Sequence, residues 1–132
     1  MSTGKKVRIL LTKSHFDDHD RGIRQIAIGL RESGAEVIFT QFRLPEEIVS
    51  SVLQEDVDFI GISSMSGGYM YFVPELMKLL KEKGLTKTRV IIGGIISEDD
   101  IPKLEETGVD RVFGPGTFIN DIASYITSTG NN

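Results

Sequence analysis

Short apolar runs rich in β-branched residues alternate with amphipathic runs five times along the chain, and most pairs are set off by glycine or proline. Val7-Arg8-Ile9-Leu10-Leu11 reads as a strand, and Asp20 to Ser33 then places Ile23, Ile26, Ala27 and Leu30 at helical spacing before Gly34. Glu36 to Thr40 is a second strand. Pro45 opens a second helix with Glu46 and Glu47 in its first turn, where the helix dipole favours acids. Val57 to Ser63 is a third strand. A helix from about Tyr69 to Lys83 follows, with Pro74 near its amino end and Gly84 as its stop. Arg89 to Ile92 is a fourth strand closed by Gly93-Gly94. Ser97 is expected to cap a short helix beginning Glu98-Asp99-Asp100. Val109 to Phe113 is a fifth strand, and a last helix starting at Thr117 or Asn120 carries Ile119, Ile122, Ala123 and Ile126, with Gly130 onward a frayed end.

Five strand–helix units in this order predict an α/β protein, (βα)5, whose parallel sheet is covered on both faces. Right-handed crossovers limit the choices to a few doubly wound sheets, and for five units the expected one is a flavodoxin-like doubly wound five-stranded sheet of order 2-1-3-4-5. The 132 residues suit one domain, 1–132, with its core at about 6–128. Composition removes other classes. There are no cysteines, hence no disulfide framework or thiolate metal site. No apolar run is long enough to span a bilayer, and Met1 to Lys6 carries no signal-peptide core. The net charge of −4, from 15 Lys+Arg against 19 Asp+Glu, is dispersed and leaves no basic stripe for nucleic acid. A cytoplasmic protein is expected.

In such a sheet, ligands lie outside the carboxyl ends of the strands, near the order reversal between strands one and three. The loops expected there are Lys13 to Gly22, Ser63 to Gly68, Gly93-Gly94-Ile95 and Gly114 to Thr117. Both histidines, His15 and His19, fall in the first. Asp17 and His19 flank Asp18, and Lys13 lies four residues before Asp17. A neutral imidazole can ligate a metal through one nitrogen while a carboxylate takes the proton on the other and a lysine holds that carboxylate ionised. One histidine alone does not make a zinc site; it suffices where a macrocycle supplies the other ligands. The plainer alternative is a solvated loop histidine beside a surface ion pair of small worth.

Asp17-x-His19-x-x-Gly22 resembles the Asp-x-His-x-x-Gly signature of cobalamin-binding domains. Ser63-x-Met65 resembles the family's Ser-x-Leu segment, and Gly93-Gly94 its glycine pair. The stretches Asp17–Arg31, Pro45–Ser66 and Gly93–Thr117 are similar to the carboxy-terminal domain of methylmalonyl-CoA mutase and to the small subunits of isobutyryl- and 2-hydroxyisobutyryl-CoA mutase. The likeness spans about Val7 to Ile126. It implies adenosylcobalamin bound base-off/His-on, with His19 as the axial cobalt ligand, Asp17 accepting its ring N–H and Lys13 supporting Asp17. It also implies a slot for the displaced nucleotide tail. Ser63 would hydrogen-bond the tail and Met65 pack near it, Gly93 and Gly94 would make room, and Phe113, Gly114 and Thr117 would line the far side. Asp18, Asp20, Arg21 and Gly22 complete the cofactor loop. Ile26, and with it Ile23, could pack on the base or serve simply as core.

The loop departs from the mutase pattern Lys-Pro-Gly-Leu-Asp-Gly-His: Ser14, His15, Phe16 and Asp18 replace Pro, Gly, Leu and Gly. His15 is an extra imidazole, and the Lys13 to Gly22 segment is expected to be mobile without cofactor. The resemblance implies a subunit inactive alone, with no catalytic residue of its own. Its partner would be a large (β/α)8 acyl-CoA-binding subunit, expected in a heterotetramer, with no nucleic acid or membrane involved. Alternatives are a corrinoid carrier or sensor, or a glutamate mutase small subunit. A carrier usually has a helical cap before strand one, where only a handful of residues stand here. Phe113-Gly114-Pro115-Gly116-Thr117 favours the acyl-CoA branch over glutamate mutase. A signalling receiver would need Asp at the end of strand three, where Ser63-Ser64 stands, and a flavodoxin a hydroxyl-rich loop after strand one.

Overall fold

A computed structural model describes residues 6–15, 21–65, 67–114, 117 and 119–130. The elements are β1 (Arg8–Ser14), α1 (Arg21–Glu32), β2 (Glu36–Phe42), α2 (Pro45–Glu55), β3 (Phe59–Ser64), α3 (Tyr69–Glu82), β4 (Arg89–Gly94), a 3₁₀ turn (Glu98–Asp100), α4 (Ile101–Glu106), β5 (Arg111–Phe113) and α5 (Ile119–Gly130). The sheet is parallel throughout with order 2-1-3-4-5, as the alternation predicts. Among the described residues no helix is long and apolar enough to cross a membrane.

Residues alternate between the two faces of each strand. Leu10, Ile60, Ile62, Val90 and Ile92 belong to a large cluster with Val52 of α2, Val73, Leu76 and Leu80 of α3, and Leu104 of α4. Ile9, Phe59 and Ile91 pack on the other face with Leu30 of α1 and Ile122, Ala123 and Ile126 of α5. Two helices therefore cover one face and three the other. At the amino edge, Asp58 accepts the Arg8 N–H at 2.9 Å and the Arg8 guanidinium donates to the Glu55 carbonyl at 2.9 Å. At the carboxyl edge the chain is rich in glycine.

The strand ends differ from the sequence-based expectation. β1 and β2 run past Leu11 and Thr40, because their paired backbones keep satisfying each other: Lys13 registers with Gln41, and the His15 N–H donates to the Phe42 carbonyl at 2.7 Å. Lys13 is thus a strand residue, not a loop residue. Gly93 and Gly94 are the last two residues of β4, not a closing turn. Ser97 makes no side-chain cap bond; the Asp100 N–H donates to the Ser97 carbonyl at 2.9 Å. The final helix includes Gly130.

Candidate functional site

Register assembles the site. Lys13 of β1 pairs with Ser63 of β3, Ser63 with Gly93 of β4, and Gly93 with Phe113 of β5. Partners in register share a sheet face. Four residues picked out from sequence separations of 20 to 50 therefore form one row across the carboxyl end, facing α1 and α5. One step deeper, the row is Leu11, Gly61 and Ile91; below it lie Ile9 and Phe59.

Gly61 interrupts an otherwise bulky strand. A Cβ there would stand 3.1 Å from both Ile9 Cδ1 and Leu11 Cδ1. With no side chain at that point, a cavity of about 90 Å³ extends between the sheet and the two helices. Its walls are Ile9, Leu11 and Ile91 from the sheet and Ile26, Leu30 and Ile122 from the helices, with Ser63 at its upper end. A wider mouth of about 360 Å³ opens above it, bounded by Gly22, Gln25, Met65, Ile95, Gly114 and Thr117. Gly22, Ile26, Met65, Gly93, Gly94, Phe113 and Ile122 border both spaces, so they form one slot that narrows and becomes apolar with depth.

Gly94 has φ of +126°, and a Cβ on it would lie well inside contact distance of the Ser64 carbonyl oxygen. That oxygen accepts the Ile95 N–H at 2.9 Å. Opposite, the Thr117 hydroxyl donates to the Gly114 carbonyl at 2.7 Å. Phe113 is buried, edge-on to Tyr125 with ring centroids 5.8 Å apart. Lys13 is only 3% exposed and is partnered, as a charge at such depth must be.

Of the residues named from sequence, Gly22, Ile26, Ser63, Met65, Gly93, Gly94, Phe113, Gly114 and Thr117 line the slot or its mouth. Ile23 does not: it is fully buried against Leu11 and Ala27 as core. Arg21 and His15 are exposed and line neither space. Asp17, Asp18, His19 and Asp20 lie outside the described residues, as do Ser66, Pro115 and Gly116. Gly61, Leu30, Gln25 and Ile122 were not picked out as site residues. Gly61 carried a readable signal, a glycine inside a buried strand where something approaches closely. Gln25 carried none, since a polar residue on an amphipathic helix reads as solvated.

The B12 binding domain family matches residues 7–122. This chain belongs to that family. Pivalyl-CoA mutase small subunit from Xanthobacter autotrophicus is 40% identical over 127 residues, covering 96% of this chain and 85% of its own. 2-Hydroxyisobutanoyl-CoA mutase small subunit from Aquincola tertiaricarbonis is 37% identical over 129 residues, covering 94% and 95%. Methylmalonyl-CoA mutase from Cereibacter sphaeroides is 40% identical over 124 residues; that stretch is 93% of this chain but 18% of the relative. Among solved structures, a cobalamin-binding protein from Desulfitobacterium hafniense DCB-2 superposes with a TM-score of 0.78 at 24% identity, over 94% of this chain and 59% of that one. A Francisella response regulator receiver domain superposes with a TM-score of 0.70 at 18% identity, over 95% and 97%. At such identities these two show the shared fold alone.

The slot suits a B12-binding domain. The inner walls are hydrocarbon with Ser63 as a polar group among the lining residues, a lining that fits a flat aromatic group. Gly61 and Gly93, on the slot side of the sheet, remove side chains that would otherwise stand in the path inward.

Proposed function

We propose that this chain is a single cobalamin-binding domain, the small subunit of an adenosylcobalamin-dependent acyl-CoA mutase. It would hold the cofactor base-off/His-on for a carbon-skeleton isomerisation carried out with a large (β/α)8 subunit, and it would be inactive alone. The observation that carries this reading is the register row of Lys13, Ser63, Gly93 and Phe113, which brings the motif residues together over an apolar slot. The two small-subunit relatives of comparable length support the separate partner.

His19 would hold the cobalt, Asp17 would accept its ring N–H and fix the tautomer, and buried Lys13 would keep Asp17 ionised. Asp18, Asp20, Arg21 and Gly22 would contact the cofactor from the loop after β1. The nucleotide tail would enter the slot, with Ser63 as its hydrogen-bond partner and Ile26, Met65 and Phe113 beside the base. Thr117 and Gly114, at the mouth, would border its chain. Bound adenosylcobalamin supplies radical chemistry through a homolysable cobalt–carbon bond. The residues of this chain bind, orient and shield, and the acyl-CoA is held by the partner. A cytoplasmic heterotetramer is the assembly proposed.

The test is retention of adenosylcobalamin through a desalting column in the dark, read as corrin absorbance, with His19→Ala run beside the parent. Retention that falls in the variant supports the reading. Equal retention in both removes His19 from the site. The acyl-CoA specificity is then decided by which large subunit the loaded protein activates, with methylmalonyl-, isobutyryl- and 2-hydroxyisobutyryl-CoA as the substrates to try.

A further inference from the structure

The loop that leaves β4 forms one wall of the slot's mouth, yet the backbone after Gly94 belongs to no sheet. It is tied at two points. The Ile95 N–H donates to the Ser64 carbonyl at 2.9 Å. Two residues on, the Ser97 N–H donates to the Tyr69 hydroxyl at 3.1 Å, and that hydroxyl donates in turn to Asp100 Oδ2 at 2.7 Å. Tyr69 is the first residue of α3, 28 residues before Ser97, and is only 7% exposed. Between the two ties Ile96 is buried in the same cluster as Tyr69 and Phe72, while Ile95 turns outward over the mouth, 56% exposed.

We propose that Tyr69 is a positioning residue for the slot: its hydroxyl clasps the loop after β4 to the start of α3 and so fixes the mouth wall formed by Gly93, Gly94 and Ile95. This rests on the reading of the slot as the cobalamin site. The chemistry favours a directional clasp over simple packing. The Ser97 N–H stands at the start of a 3₁₀ turn, where backbone donors lack a partner within the helix. A phenol can accept from that donor and donate to a carboxylate at once, so one group fixes both ends of the turn. The bond to a charged acceptor is also the stronger kind. The Ser97 donor draws the phenol pKa down, but the Asp100 acceptor and burial outweigh it and leave it raised, so the hydroxyl keeps its proton. Gly68, which caps α3 with φ of +83°, stands directly after the loop that carries Met65. The clasp therefore couples the loops after β3 and β4, which lie side by side at the mouth of the slot.

The experiment compares the full chain with Tyr69→Phe, which keeps the ring and loses only the hydroxyl, and with Asp100→Asn, which keeps an acceptor. Amide hydrogen exchange at Ser97 and the rate at which corrin absorbance is lost from the loaded protein are both measured. In Tyr69→Phe, Ser97 exchange should quicken on the order of tenfold, equivalent to about 1.4 kcal/mol, and corrin should leave several-fold faster. Asp100→Asn, with a neutral and weaker acceptor, should fall between the parent and Tyr69→Phe on both. Val109→Ala, buried at the opposite edge of the sheet, controls for stability alone: at a similar loss in melting temperature its corrin release should not change. Unchanged Ser97 exchange in Tyr69→Phe overturns the clasp. Equal quickening of release in Val109→Ala overturns the positioning role. A parent that retains no corrin overturns the reading of the slot, and the exchange measurement still decides whether Tyr69 holds the loop.

Discussion

The two faces of this sheet are built from the same strands but packed to different ends. On the face toward α2, α3 and α4, bulky residues from β1, β3 and β4 meet helix residues at full depth: Leu10, Ile60, Ile92, Val73, Leu76 and Leu104 are all at or below 1% exposure. On the face toward α1 and α5, the row that should hold a central side chain holds Gly61, and the row above it holds Gly93. The first face is a packed core; the second is core at its amino end and a slot at its carboxyl end. The lesson is that stability and binding are divided between faces, so substitutions on them should separate folding from retention of cobalamin.

The largest effects should come from a matched pair of truncations. Leu76→Ala, on the packed face, should cost about 2–5 kcal/mol in unfolding free energy, because the surrounding side chains cannot collapse into the space. Ile26→Ala, half-buried beside the slot, should cost on the order of 1 kcal/mol, since it removes less buried area. Denaturant unfolding of the two checks this, and corrin retention should reverse the ranking once differences in the folded fraction are corrected for. Similar costs for both would break the division between the faces.

Gly61→Val sharpens the same division. Its backbone lies in ordinary strand geometry, and the neighbours that a new side chain meets are the flexible ends of Ile9 and Leu11. Overpacking there should cost no more than about 1–3 kcal/mol, while corrin retention should be lost because the branched side chain fills the inner cavity. A variant that unfolds at once would show that Gly61 serves the core; one that folds and retains cobalamin would detach the inner cavity from the cofactor.

Much of this was legible in the sequence, for physical reasons that differ from residue to residue. The sheet order followed from five alternating strand and helix runs together with the right-handed crossover rule. Ser63, Gly93 and Phe113 were readable because motif and topology point to the same sheet edge. Lys13 was assigned to a loop because a charged residue after an apolar run looks like its end; only cross-strand pairing with Gln41 and Ser63 keeps it in β1. Ile23 and Ile26 have the same chemistry and differ by less than one helical turn, and only the packed helix shows that one is core and the other slot wall. The Tyr69 clasp joins residues 28 and 31 apart through a side-chain oxygen, which leaves no periodic trace.

The smallest predicted effect lies on the packed face. Thr12 follows Leu10 on that side of β1; it is fully buried, and its hydroxyl has no hydrogen-bond partner among the described residues. An unpartnered hydroxyl has given up its hydrogen bonds to water and gained nothing in exchange. Thr12→Val keeps the branched shape and removes that loss, so it should stabilise the fold by about 1 kcal/mol, a rise in melting temperature of roughly 3–5 °C for a domain of this size. Because Thr12 faces away from the slot, corrin retention should not move. A fall in melting temperature would mean that the hydroxyl carries a bond to a residue outside the described ones, and a change in retention would mean that the two faces are coupled through β1.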